Sequence, residues 1–282
     1  MQRLAVIGDI HGCWTAEDVR WIDAAGYDLV VFVGDLAGYR QSETVRIARL
    51  IAALQTPALI LPGNHDAVHA LQMLSEVLGR PSLTRALVSG QGRRHQALAD
   101  ALPGRHRLAG YSHHPLSAEV AIIAARPQSI GGPRMAFVPH LTRRFRVSTM
   151  AESAARLCEL VRRAPEPSLI FLAHNGPTGL GSTRDAIWGC DFKAQAGDWG
   201  DPDLRTAIDF AVEQGRTVLA VLAGHMHRRL KGGGQRQASQ TVDGIAYLNA
   251  AEVPRIRDGR HHHVAVTIAG GAAVFEERWL NS

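Results

Sequence analysis

Residues 4–12 read L-A-V-I-G-D-I-H-G: four apolar residues, a glycine, then an aspartate and a histidine two positions apart. The pattern recurs twice. Residues 29–38 are L-V-V-F-V-G-D-L-A-G and residues 58–66 are A-L-I-L-P-G-N-H-D. A short apolar run closed by glycine and polar residues reads as a buried strand, so strands are expected at 4–7, 29–33 and 58–61. Between the second and third, Ser42 can cap a helix running to about Leu54, with Val45, Ile47, Ala48, Ile51 and Leu54 as its apolar stripe. Strand, helix and strand in alternation predict an α/β fold with a partly parallel sheet.

Working outward, Thr149 and Glu152 have capping-box spacing, and two arginines close a helix ending near Arg163. Buried strands are expected at 168–172 and 217–222, ending in A-H-N-G-P and A-G-H-M-H. Between them, Asp201 caps a helix with Pro202 at its first position and Gly215 as its stop. Within 80–147, G-Q-G-R-R-H-Q and Y-S-H-H-P read as loops, and 119–124 and 135–138 as strands. The tail from Thr241 reads as an antiparallel set turning at Gly270-Gly271. No repeat, linker or charge block divides the chain, which is read as one domain, 1–282, with about 80–147 as a candidate cap or insert.

Composition narrows the function classes. A chain of 282 residues, 46% apolar and 20% charged, is neither disordered, collagenous nor membrane-spanning. Its apolar runs fall far short of the roughly 20 residues that cross a bilayer, and no membrane partner is expected. Three cysteines, Cys13, Cys158 and Cys190, form no C-x-x-C pair, and the amino end lacks a secretory pattern. A cytoplasmic protein is expected. The net charge of +5 suits a small anionic substrate better than a nucleic acid, because no basic stripe is interleaved with aromatic residues.

Five expected strand ends carry polar clusters: Asp9 and His11; Asp35; Asn64, His65 and Asp66; His174 and Asn175; His225 and His227. Ligand sites in open α/β sheets form outside the carboxyl ends of strands, so these clusters can converge although scattered along the chain. Nitrogen and oxygen donors without a thiolate suit manganese, iron, zinc or cobalt rather than calcium or a structural zinc. His261, His262 and His263 sit in an alternating strand and read as packed residues rather than a second metal site.

The ordered set G-D-I-H-G, G-D, G-N-H-D, a lone strand-end histidine and G-H-M-H resembles the calcineurin-like metallophosphoesterases, from Gly8 to His227. The resemblance implies a four-layer α/β/β/α sandwich of two mixed sheets flanked by helices. It also implies a dinuclear centre in which Asp9, His11 and His227 hold one ion, Asn64, His174 and His225 hold the other, and Asp35 bridges them. Manganese and iron are expected ahead of zinc or cobalt. The implied activity is hydrolysis of a phosphomonoester or phosphodiester, a nucleotide or similar small molecule, by in-line attack of a metal-bridging hydroxide. His65 is the candidate general acid, with Asp66 holding its other ring nitrogen. Arg228, Arg229 and Arg126 are candidates for gripping the phosphate, with Lys231, Arg236 and Arg134 nearby in sequence. The serine/threonine phosphatase branch is disfavoured, since G-D-L-A-G and Asp66 replace its Asp-Arg pair and glutamate. H-N-G-P-T-G-L-G, G-D-W-G-D-P-D and N-A-A-E-V-P-R resemble a branch found in oxygenic phototrophs. The competing expectations are a non-catalytic scaffold of the same fold that binds a partner protein, and a nuclease-like processor.

Overall fold

The computed structural model describes residues 1–38 and 40–281. In chain order the first half comprises β1 (Gln2–Ile7), α1 (Ala16–Ala24), β2 (Leu29–Phe32), α2 (Gln41–Ile51), β3 (Ala58–Ile60), α3 (Ala70–Val77), α4 (Pro81–Leu87), α5 (Gln91–Asp100), β4 (His106–Leu108), β5 (Ser112–Pro115) and β6 (Val120–Ala124). There follow α6 (Val138–Phe145), α7 (Met150–Arg163), β7 (Ser168–Leu172), α8 (Pro202–Glu213), β8 (Thr217–Ala223), β9 (Ser239–Val242), β10 (Ile245–Asn249), β11 (Ile256–Arg257), β12 (Arg260–Ala269) and β13 (Ala272–Asn281).

These strands make two mixed sheets. One has the order β11-β12-β1-β2-β3-β4, with β13 on the free side of β12; the other has the order β5-β6-β7-β8-β10-β9. β1 to β4 are mutually parallel, and β6, β7, β8 and β10 are too. Because side chains alternate across a strand, each central strand serves two cores. Leu4, Val6, Val31, Ile122, Ile170 and Leu222 fill the space between the sheets. Ala5, Ile7, Val30 and Phe32 face the other way, against Ile22 of α1, Ile47 and Ile51 of α2 and Leu98 of α5. Ala121, Ile123, Leu169 and Phe171 do the same for the second sheet, against Leu141, Leu157, Val161 and Ile208 of α6, α7 and α8. Three packed interfaces therefore stack four layers, the expected α/β/β/α sandwich.

Several local expectations are corrected. α2 begins at Gln41, behind Arg40 rather than Ser42, without a side-chain cap. Thr149 does cap α7, accepting from the Glu152 N–H at 3.1 Å, but the Glu152 carboxylate reaches the Ser148 N–H, one residue upstream of a capping box. Residues 135–138 are not a strand; Val138 opens α6. The polar runs read as loops are α5 and the edge strand β5, paired antiparallel to β6. Within residues 80–147, β4 joins the edge of the first sheet while β5 and β6 belong to the second. The tail is also split: β10 lies parallel to β8, whereas β12 and β13 form the expected hairpin, with Gly270 and Gly271 both at positive φ in its two-residue turn.

Candidate metal centre

The carboxyl ends of β1, β2, β3, β7 and β8 point to one edge of the sandwich, and the loops leaving them are bound to one another. The His11 N–H donates to the Asp35 carbonyl at 2.9 Å and the Gly224 N–H to the His174 carbonyl at 2.8 Å, so each sheet couples its own pair of loops. Asp9 joins the sheets by accepting the His225 N–H on Oδ1 at 3.0 Å. Asp9, His11, Asp35 and His225 all have positive φ, between 37° and 69°. Non-glycine residues held there cost roughly 1–3 kcal/mol each, a strain that clusters where side chains are aimed at a ligand. Gly34 and Gly63 are required by closeness: a Cβ on Gly34 would strike the Gly63 backbone, and one on Gly63 would strike the Asp35 carboxylate.

Within this frame Asp9, His11 and His227 offer ligand atoms lying within 4.8 Å of one another, as do Asp35, His174 and His225. His11 Nε2 and His227 Nε2 are 3.2 Å apart, and His227 Nε2 lies 3.4 Å from Asp9 Oδ2. Asp35 stands between the two groups, with Oδ2 3.9 Å from His11 Nε2 and Oδ1 3.6 Å from His174 Nε2. Asn64 Oδ1 joins the second group at 2.8 Å from His174 Nε2. His174 donates its Nδ1–H to the Val33 carbonyl at 2.7 Å, which leaves Nε2 facing the centre. The structure thus brings together all seven residues expected to hold metal. They also fit the task chemically, with only nitrogen and oxygen donors, and among the described residues Asp9 Oδ2 is buried without a hydrogen-bond partner.

Electrostatics follow from packing. Burial alone would raise the Asp9 and Asp35 carboxyls, but the histidines around them reverse the balance and hold both below the ordinary aspartate value. Burial pushes His225 down to about 3, reinforced by the neighbouring His174. His174 and His227 are instead raised, because Asp35 and Asp9 outweigh their desolvation.

Other expected site residues stand differently. The His65 side chain is about one-fifth exposed, with Nε2 3.8 Å from Asp35 Oδ2. Asp66 was expected to hold the His65 ring; instead its two oxygens accept the Leu36 N–H at 3.0 Å and the Gly63 N–H at 2.8 Å. Its carboxylate is turned into the loop interior, where it ties the β2 and β3 loops together. Arg126 does not face the centre. It is buried, 2.8 Å from Asp203 and 3.0 Å from Asp201. Arg228 is held by Glu252 and Glu277, and Arg236 by Asp191 and four carbonyls, that of His227 among them.

Arg229 does line a cavity of about 760 Å³ that opens over Asp35, Asn64, His65, His225 and His227. Lys231, Lys193 and Arg134 add positive charge to it, and Phe192, Trp199, Ile130, Met73 and Met226 an apolar wall. Lys193 Nζ sits 3.7 Å from the centroid of the Trp199 ring, and Phe192 meets that ring edge-on. Sequence reasoning missed this wall because residues 191–199 lie in no periodic element. G-D-W-G was its one visible mark.

The family model of calcineurin-like phosphoesterases matches residues 2–229. No curated protein matches the sequence at a significant level. Among solved structures, the chain is similar to TT1561 of Thermus thermophilus at 11% identity and a TM-score of 0.56, covering 98% of both chains. It is similar to a dimetal phosphatase from Danio rerio at 12% identity and a TM-score of 0.56, covering 99% of this chain and 97% of that one. At such identities the likeness is one of fold.

Proposed function

The chain belongs to the calcineurin-like phosphoesterase family, and on that premise we propose that it hydrolyses a small phosphoester at a dinuclear metal centre. The observation that carries this reading is the placement of Asp35, one carboxylate oxygen turned to each of two ligand groups drawn from both sheets. Asp9, His11 and His227 would hold one ion, Asn64, His174 and His225 the other, and Asp35 would be shared. When bound, two divalent ions of the manganese or iron type supply Lewis acidity toward phosphoryl oxygens and lower the pKa of water.

The protein's own residues do the rest. His65 reaches the cavity floor beside Asp35, where its Nε2 can pass a proton to the departing alkoxide oxygen. Asp66 fixes the backbone that carries Asn64 and His65. Arg229, Lys193 and Lys231 attract an anionic substrate, and Trp199 and Phe192 give its alcohol portion a flat apolar surface. The test is hydrolysis of nitrophenyl phosphate mono- and diesters by metal-reconstituted protein. Asp35→Ala should abolish turnover and lower bound metal together. Unchanged turnover in that variant refutes the reading, and a protein that binds metal but turns over neither ester is a scaffold.

A further inference from the structure

Helix α3 is packed inside out. Its buried positions are Gln72, Met73, Ser75 and Glu76, while Ala70, Leu71, Leu74, Val77 and Leu78 are exposed. The inner face has polar partners that account for this choice. Gln72 bonds Gln91 at 2.6 Å and Arg94 at 3.1 Å, and Ser75 bonds Thr84 of α4 at 2.9 Å. Gln91 continues to Gln128 at 3.3 Å, and Gln128 donates to the Asp66 carbonyl at 2.5 Å, so the amide chain anchors α3 to the loop carrying Asn64. The outer face has no such account. Leu71, Leu74, Val77, Leu78 and, on α4, Leu83 are each between 47% and 63% exposed, half of the ten strongly exposed large apolar side chains among the described residues. An apolar patch gathered on one face marks an interaction surface.

The charge around it selects the occupant. Residues 67–99 contain four arginines and a single acid, Glu76, which is buried. Arg80, Arg85 and Arg93 are exposed. A second copy of this chain, paired symmetrically, would set these like charges against each other. A ridge of leucines flanked by arginines instead suits a flat apolar layer with an anionic surface. We propose that the α3–α4 hairpin docks this protein on an anionic lipid surface. The contact is interfacial and reversible, since no helix among the described residues is long and apolar enough to cross a membrane. Met73 and Val77 also line the cavity described above, so the docked face adjoins its mouth.

The test is sedimentation of the full chain with phosphatidylcholine vesicles, with and without phosphatidylglycerol, alongside its oligomeric state in solution. Binding is expected only with phosphatidylglycerol and should weaken in high salt. Leu71→Gln/Leu74→Gln/Leu78→Gln should reduce the bound fraction at least tenfold while leaving hydrolysis of a soluble nitrophenyl ester unchanged. Should the triple variant not fold, Leu78→Gln alone and Arg80→Glu/Arg85→Glu carry the same comparison, each with weaker binding expected. No binding to anionic vesicles, equal binding to neutral ones, or a dimer that the leucine variants dissociate would overturn the proposal. None of these outcomes depends on the metal centre.

Discussion

Replacing Arg126 with methionine separates two roles that sequence alone cannot distinguish: a grip on substrate phosphate or a buried counter-charge. The guanidinium meets Asp203 through Nε at 2.8 Å and Nη2 at 3.2 Å, and Asp201 through Nη2 at 3.0 Å. Ser129 donates to Asp201 at 2.7 Å and Ser153 to Asp203, so the carboxylates are fully engaged in a buried site. The cluster fastens the start of α8 to the end of β6. Removing one member of such a group leaves uncompensated charge and costs roughly 3–5 kcal/mol. At about 2–3 °C per kcal/mol for a chain of this size, Arg126→Met should melt roughly 6–15 °C below the parent protein.

The loss should depend on pH with a defined sign. Burial already raises Asp201 to about 6 despite Arg126. Its folded form therefore holds a proton more tightly than the unfolded chain, and this contribution to stability falls as pH rises from about 4 to about 6. Without Arg126 the Asp201 carboxyl rises further, and Asp203, which Arg126 holds below the ordinary aspartate value against its burial, rises as well, so the difference between variant and parent should shrink as pH is lowered through about 6. Calorimetric melts at pH 7.5 and 5.5, with KM for a nitrophenyl ester measured well below the transition, make the comparison. A variant that melts within 2 °C of the parent but shows a tenfold higher KM would refute the structural role.

Other predictions follow from the same reasoning. Asp66→Asn keeps the shape but one acceptor fewer, leaving a buried N–H of Gly63 or Leu36 unmet; urea unfolding should register a loss of about 1–3 kcal/mol, and an unchanged midpoint would count against it. Gly63→Ala drives a Cβ into the Asp35 carboxylate, so bound metal, read by elemental analysis, should fall even where the protein stays folded. Burial holds His95 and His262 at about 3 and His140 and His263 at about 4, with Arg144 beside His95 and His140 and Arg255 beside His262 and His263. Each is depressed from 6.5, so stability is present above that pH and is lost as pH falls toward 4, by up to about 1.4 kcal/mol per pH unit for each ring. Asp201 and Asp66, raised by burial to about 6 and about 7, oppose this with two groups' worth against the four rings. Chemical denaturation between pH 7 and 4.5 should show the steep net decline, and a flat profile would contradict the buried neutral rings.

The sequence made the architecture readable wherever a strand was buried on both faces and stopped by glycine. Residues 4–7, 29–32, 168–172 and 217–222 needed no partner to be recognised, and the polar residues just beyond them marked the centre. What stayed hidden depends on distant partners. Gln91–Asp100 forms a helix although its start reads G-Q-G-R-R, because Gln91 and Arg94 are held by Gln72 of α3. Ser112–Pro115 is polar because it is an edge strand. Arg126 has no local signal of its role, since Asp201 and Asp203 lie more than 70 residues away. Asp66 follows His65 directly, so a ring contact between the two is the natural reading of the sequence. Only the three-dimensional path of the loop shows its oxygens turned to backbone instead.

Two cations sharing Asp35 are the core of the proposed chemistry, and diffraction at the manganese edge from crystals of manganese-reconstituted protein would locate them. Two anomalous peaks about 3.5–4 Å apart are predicted, one beside Asp9, His11 and His227 and one beside Asn64, His174 and His225, with Asp35 touching both. A single peak, or peaks away from Asp35, would contradict that chemistry.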